Sequence, residues 1–221
     1  MHKATLNKTK ALQKNEEIER VKEFVLTLFN GVKENPNTDN GTITLGFLTP
    51  DGVRYLSALS GQKIKSATRF TISLNILRHW YNNHYGENEK DKGQNIPLTD
   101  TDIKALIDVM AKPDKILFTG YNKKAHANVF ALLKTNNSNG TYSLLEVYSN
   151  SDGELNPKSY YNSKKDIGGQ VMNLLKNSQP FTSETRTRPI DAEIPETLFK
   201  VSNRFSENKD TTKTSKNQIS E

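Results

Sequence analysis

The chain has 221 residues, contains no cysteine and carries a formal net charge of +6. Its composition excludes disulfide frameworks, thiolate metal sites and a cysteine nucleophile. No stretch of the sequence approaches the roughly 20 apolar residues that a membrane-spanning helix needs. A basic surface, here with a sequence pI of about 9.3, attracts phosphate backbones and anionic lipids alike.

The amino-terminal part of the chain predicts one amphipathic helix. Residues 1–15 are polar and are expected to form a flexible start. Over residues 16–33, apolar side chains recur at helical spacing, and acidic residues fill the first turn, as the helix dipole favours. A loop is expected to follow, so that residues 16–41 form a helix plus a loop. The apolar stripe consists of Ile18, Val21, Val25, Leu28, Phe29 and Val32.

The next elements are delimited by turn and capping residues. Alternating β-branched and apolar residues predict a strand over residues 42–48. Thr49, with a proline directly after it, predicts a helix start, and Gly61 predicts the end of that helix. After a short extended segment, Ser73 is expected to cap a helix that runs to about residue 85.

A change of period marks the middle of the chain. Thr99 and Asp102 resemble a capping box and predict a helix that must end before Pro113. Alternation then predicts an antiparallel meander with a polar hairpin turn at residues 136–140. The strands are predicted at 115–120, 127–135, 142–149 and 158–161. Helices followed by strands predict an α+β fold, with helices packed on a roughly four-stranded antiparallel sheet.

The carboxyl-terminal part loses this regular pattern. Residues 165–176 predict a last helix, 177–205 an irregular extension, and 206–221 a polar, disordered tail. The predicted folded domain therefore spans residues 42–176.

Two histidines lie on the helix that Ser73 begins. His84 falls on its apolar stripe with Trp80, whereas His79 lies about 140° away, at 100° per residue. They do not have the i,i+4 spacing of a zinc-binding helix, and the helix carries no carboxylate, so we expect neither a metal nor another cofactor. The alternative interpretation of His84 is a hydrogen-bonded core histidine.

Metal-free RNA cleavage needs only a few types of side chain. One group takes the proton of the 2′-hydroxyl and another protonates the leaving oxygen; histidine suits either role near neutral pH. Cationic and hydroxyl donors stabilise the charge on the phosphate. The chain offers such groups at Arg78, His79, His84, Lys123, Lys124 and within residues 158–161.

The order of several short motifs resembles a nuclease superfamily. In chain order they are Leu77-Arg78-His79, His84-Tyr85-Gly86, Pro97-Leu98-Thr99, Asp102-Ile103, Pro113-Asp114-Lys115-Ile116 and Lys158-Ser159-Tyr160-Tyr161. Together, over about residues 56–165, they resemble the phage-borne nuclease domains of the barnase–EndoU–colicin–RelE-like superfamily, including those of phage Mu F-type head proteins. Tyr85 departs from that pattern, in which the histidine and the glycine are adjacent.

The resemblance implies helices on a four-stranded antiparallel sheet and a metal-independent endoribonuclease of phage or mobile-element origin, with a toxin as one expected role. With the residues above, it gives His79, His84, Ser159 and Tyr161 as catalytic candidates. The candidates for substrate binding are Arg78, Lys123, Lys124, Lys158 and Tyr160. Strand alternation leaves only one of the two adjacent tyrosines accessible.

The expected partners are RNA, tRNA included, and a cognate inhibitor or immunity protein. The start of the sequence lacks the apolar stretch of a secretory signal. The expected location is therefore the cytoplasm of the producing bacterium or of a recipient cell.

Two other functions are compatible with the sequence. A non-enzymatic interaction protein of a phage or mobile element could retain the same fold, since fold does not determine function. An ADP-ribosyl transferase would need a nicotinamide pocket and a positioned glutamate, for which only Glu146 lies on a predicted strand. Convergence of His79, His84 and Ser159 on one cleft would favour the nuclease.

Overall fold

The part of the chain described by the computed structural model comprises residues 2–37, 40–90, 95–136, 141–163 and 193–201. These residues form an α+β fold with four α-helices and one eight-stranded sheet. The helices are α1 (His2–Glu34), α2 (Pro50–Ser60), α3 (Leu74–His84) and α4 (Asp100–Ala111), with a short 3₁₀ turn at Gly86–Asn88.

Helix α1 is longer and more deeply packed than the sequence pattern predicts. It begins at His2, so the expected flexible start is helical. Its apolar stripe, Val21, Val25, Phe29 and Val32, is buried in the main core, where α1 packs against α3 and α4. Residues 16–34 therefore share a core with the predicted domain of residues 42–176.

The helix starts that the sequence predicts are confirmed by their hydrogen bonds. The Thr49 hydroxyl accepts from the Gly52 N–H at 3.0 Å, and the Ser73 hydroxyl accepts from the Ile76 N–H at 3.2 Å. Thr99 and Asp102 form a capping box at the start of α4. These caps satisfy N–H groups that have no partner within the helix.

The sheet contains the predicted meander and extends beyond it. In sheet order its strands are β4 (Lys115–Asn122), β5 (Ala127–Asn136), β6 (Thr141–Asn150), β7 (Glu154–Ser163), β2 (Arg69–Ser73), β1 (Thr42–Leu48) and β8 (Phe199–Val201). Strand β3 (Asn95–Ile96) pairs with the end of β7. Strands β4 to β7 are antiparallel neighbours, as predicted. The expected four strands become eight because β7 also pairs in parallel with β2.

Strand β8 corrects the expectation of an irregular extension for residues 199–201, while residues 177–192 and 202–205 of that predicted segment lie outside the described residues. It pairs with β1, and Leu198 and Phe199 are buried in the core. A Cβ on Gly52 would lie 2.5 Å from the Leu198 carbonyl oxygen, so this contact requires glycine. The predicted turn residues 137–140, helix 165–176 and tail 206–221 lie outside the described residues.

The two faces of the meander carry different side chains. Phe130, Leu145 and Tyr160 belong to the main core that the helices share. By strand alternation, Leu144 and Tyr161 belong to the opposite face, where they form a second apolar cluster. None of the described helices is both long and apolar enough to cross a membrane.

Helix α3 lies beside β7, where the pairing of that strand is interrupted. Strand β2 pairs with β7 at Glu154 and Leu155, and β3 pairs with it at Asn162 and Ser163. Between these pairings, among the described strands, only β6 adjoins β7. Helix α3 approaches this stretch, since the rings of Trp80 and Tyr160 are 5.6 Å apart.

Candidate active site

A polar pocket of about 720 Å³ lies between α3, the end of β6, the first half of β7 and the turn that follows β4. Its described lining contains two cations and one histidine, with no Asp or Glu. The lining residues are Ser73, Asn75, Ile76, Arg78, His79, Asn82, Asn83, Ala125, Ala127, Tyr148, Asn150, Asn156, Pro157, Lys158 and Ser159. Such a lining favours an anionic ligand with hydrogen-bonding groups.

Helix α3 supplies one wall of the pocket because its two faces differ. Ile76, Leu77 and Trp80 are buried and fix the helix on the core. The residues between them turn outwards and present His79 and Arg78 to the pocket. The Asn83 side-chain amide donates to the carbonyl oxygen of His79 at 2.6 Å and lies 3.1 Å from its Nδ1.

Strand β7 supplies the opposite wall through a β-bulge. Glu146 pairs with Ser159 and Val147 pairs with Pro157, which leaves Lys158 without a residue opposite it. Pro157 has no N–H, which suits an irregular position in the pairing. Bulges reorient side chains and are frequent beside active sites. Here Lys158 is exposed and lines the pocket together with Ser159.

The two adjacent tyrosines of β7 have opposite environments. Tyr160 is fully buried, and its hydroxyl donates to the Asp102 carbonyl oxygen at 2.9 Å. The prediction that Tyr160 contacts substrate therefore does not fit the structure, because alternation turns it into the core. Tyr161 lies on the other face, and burial raises the pKa of its hydroxyl to about 12.

The two histidines approach one another and β7. Their ring centroids are 5.6 Å apart, although helical spacing separates them by about 140°. The His84 ring lies 6.4 Å from that of Tyr161. His84 and Tyr161 do not line the pocket but adjoin it through His79. Burial, followed by the positive charges of His84, Lys158 and Lys90, lowers the pKa of His79 below its usual 6.5.

The predicted lysine pair is not part of the pocket lining. Lys123 and Lys124 are exposed in the turn between β4 and β5, where they precede the lining residue Ala125 in the chain. Of the nine predicted site residues, Arg78, His79, Lys158 and Ser159 line the pocket, while His84 lies beside His79 and Tyr161 beside His84.

Glu146 is a half-buried carboxyl group near the pocket that was not predicted as a nuclease residue. It pairs with Ser159 across the strands and hydrogen-bonds with Tyr148 of the lining. Partial burial raises its pKa, and the Tyr148 hydrogen bond and the Lys158 charge only partly oppose this effect. An acid with a raised pKa beside a pocket is a common feature of functional sites.

Glu89 is the second residue that the sequence analysis missed. It lies in a charged stretch that is typical of a solvent-exposed loop, yet its side chain is fully buried. The Glu89 Oε2 atom lies 3.3 Å from Nδ1 of His84. The sequence signal that could have identified Glu89 is its position just beyond the end of α3, five residues after His84. In the part of the chain that the structure describes, no group of three or more His, Asp or Glu residues could hold a metal ion.

The fold and the pocket together define an α+β protein with histidines and cations gathered beside an antiparallel meander. A family model described as phage-Barnase-EndoU-ColicinE5/D-RelE like nuclease3 matches residues 55–167, just over half of the chain. The chain therefore belongs to this nuclease family, and the predicted resemblance is confirmed. No curated protein and no solved structure matched the chain.

Proposed function

We propose that this protein is a metal-independent endoribonuclease in which His79 and His84 carry out acid/base catalysis. The observation that carries the proposal is that His79 and Ser159 line one pocket with Arg78 and Lys158, while His84 adjoins His79. Membership of a nuclease family supports the same interpretation. A phage or mobile-element origin and a toxin role, with RNA as the target, belong to this proposal.

The proposed reaction is an internal transfer at phosphorus. One imidazole takes the proton of the 2′-hydroxyl, whose oxygen then forms a bond to phosphorus. The bond from phosphorus to the 5′-oxygen breaks, and the other imidazole, in its protonated form, gives that oxygen a proton. The products are a 2′,3′-cyclic phosphate and a free 5′-hydroxyl. The 2′-hydroxyl is thus required, which makes RNA rather than DNA the substrate.

The charges of the pocket support binding of the scissile phosphate. Arg78 and Lys158 offer donors from opposite walls, and the Ser159 hydroxyl is a further donor. Ser73 and Ile76, in the first turn of α3, also line the pocket, and the positive end of the helix dipole favours an anion there. These groups can stabilise the charge that develops in the transition state. Tyr161 would not act as the base, because burial keeps its hydroxyl protonated at neutral pH by raising its pKa to about 12.

The test is cleavage of total RNA and purified tRNA by the full-length protein in EDTA. We expect cleavage by the wild type, and a loss of roughly 100-fold or more in rate for His79→Ala and for His84→Gln. His126→Asn is the matched control, since His126 is exposed in a turn at a φ of 48° that asparagine tolerates. Equal rates for the wild type and a folded His79→Ala/His84→Gln double variant would refute the proposal and favour a non-enzymatic protein.

The pH dependence gives an independent check on His79. The pH profile of kcat/KM should be bell-shaped, with one limb below pH 6.5, because that profile reports the groups of the free enzyme. In NMR titrations the His79 ring should titrate below 6.5. Lys158→Gln should move this midpoint upwards, since it removes one positive charge while burial persists. A midpoint at or above 6.5 in the wild type would contradict this environment for His79.

A further inference from the structure

The backbone around His84 is held by the chain that follows it. The Leu98 N–H donates to the His84 carbonyl oxygen at 2.7 Å, and the Gly86 N–H donates to the Leu98 carbonyl oxygen at 3.0 Å. The extended backbone of Tyr85 ends α3, and Gly86, with a φ of 53° in the left-handed region, turns the chain back. The Lys90 N–H then donates to the Asn83 carbonyl oxygen at 3.1 Å. This reversal brings Glu89 against the last turn of α3.

The Glu89 carboxyl group is buried, where a charged group requires a compensating partner. Its side chain is fully buried, whereas the His84 side chain is 18% exposed. Burial of a carboxylate is costly unless a donor or a positive charge accompanies it. The Nδ1 of His84, 3.3 Å from Oε2 of Glu89, can supply a donor.

We propose that Glu89 is the positioning residue of His84, which holds the imidazole with its proton on Nδ1 so that Nε2 exchanges protons with the substrate. This inference rests on the proposed ribonuclease function. The contact with Glu89 occupies Nδ1 of His84. Nε2 is then the nitrogen that exchanges a proton, whether His84 acts as the acid or as the base. The carboxylate also stabilises the imidazolium form through which either role passes, as in other carboxylate–histidine pairs.

The neighbouring contacts are consistent with a ring held in one orientation. On its remaining sides, the His84 ring lies 5.6 Å from the ring of His79 and 6.4 Å from that of Tyr161. His79 in turn lines the pocket. Glu89 is fully buried, whereas His84 is partly exposed, so Glu89 acts through His84 and does not touch the substrate.

The test compares Glu89→Gln with Glu87→Gln. Glu87 is exposed in the same turn and provides a matched control for loss of one negative charge. We expect Glu89→Gln to lower kcat by about 10²- to 10⁴-fold, the scale seen when a carboxylate that orients a catalytic imidazole becomes an amide. KM should change less than threefold, because the pocket lining is intact, and Glu87→Gln should leave both constants unchanged.

A direct readout of the tautomer does not depend on activity. Nitrogen NMR of the neutral His84 ring in the wild type should show the proton on Nδ1, and Glu89→Gln should shift it towards Nε2. A wild-type ring protonated on Nε2 would overturn the inference, as would a folded Glu89→Gln variant with unchanged kcat. Absence of RNA cleavage by the wild type would refute only the proposed ribonuclease function, and the NMR result would still decide whether Glu89 holds the tautomer.

Discussion

Replacement of Phe29 by alanine tests whether α1 is part of the folded unit, although the family match begins only at residue 55. The Phe29 ring is fully buried, 5.1 Å from the ring of Tyr85 and 6.2 Å from that of Tyr81. Both tyrosines flank the histidines of α3. Removal of the ring would leave a cavity between α1 and the helix that carries the candidate site.

The expected size of the effect follows from that burial. A buried Phe→Ala change costs about 3–5 kcal/mol, which combines lost transfer free energy with the cavity left behind. For a protein of this size, this loss corresponds to a fall in Tm of roughly 6–20 °C. Phe47→Ala makes the same chemical change at a side chain that is 40% exposed. We expect it to cost about 1 kcal/mol, because full burial of a Phe side chain contributes only about 1.5–3 kcal/mol.

Urea unfolding of both variants and the wild type, followed by far-UV circular dichroism, measures the difference. Phe29→Ala should lower the unfolding midpoint several times more than Phe47→Ala, with the slope m unchanged. Equal midpoints for the two variants would show that α1 does not pack as described. That result would refute the inclusion of α1 in the folded core.

Two further predictions concern charge. The raised pKa of Glu146 means that the folded state binds more protons than the unfolded state above pH 4.5, so stability falls as pH rises through that window. Glu146→Gln should therefore raise the unfolding midpoint at pH 7 but not at pH 4; an equal change at both pH values would contradict this. Lys123→Glu with Lys124→Glu should weaken RNA binding and reduce the slope of log K against log salt by roughly 1–2. Lys112→Glu with Lys115→Glu, at the exposed junction between α4 and β4, is the matched control, and equal weakening would remove the lysine turn from the interface.

Local features of the fold were predictable because the interactions that define them lie within a few residues. The caps at Thr49, Ser73 and Thr99 form with N–H groups three positions ahead. The four strands of the meander follow from alternation and short turns. The motif order also located the family over nearly the residues that match it.

The candidate site was predictable only in part. The sequence indicated which residue types are suitable, and four of the nine predicted residues line one pocket, with His84 and Tyr161 beside it. Alternation required one tyrosine of β7 to be buried, but which one depended on the side from which the helices pack. Lys158 lies at a bulge that arises from the pairing of β7 with β6. The sequence of β7 alone does not specify this pairing.

The sequence by itself determined the helix caps, the meander and the family, because each depends on neighbouring residues or on a fixed order of short motifs. Only the tertiary structure decided that α1 and β8 complete the core, that Tyr160 faces inwards and that Glu89 meets His84. The first two outcomes depend on contacts between elements that are far apart in the chain. The third depends on a chain reversal that buries the Glu89 carboxylate within a charged segment. The burial of a charged side chain is set by the partner that packing brings to it, and composition alone does not specify that partner.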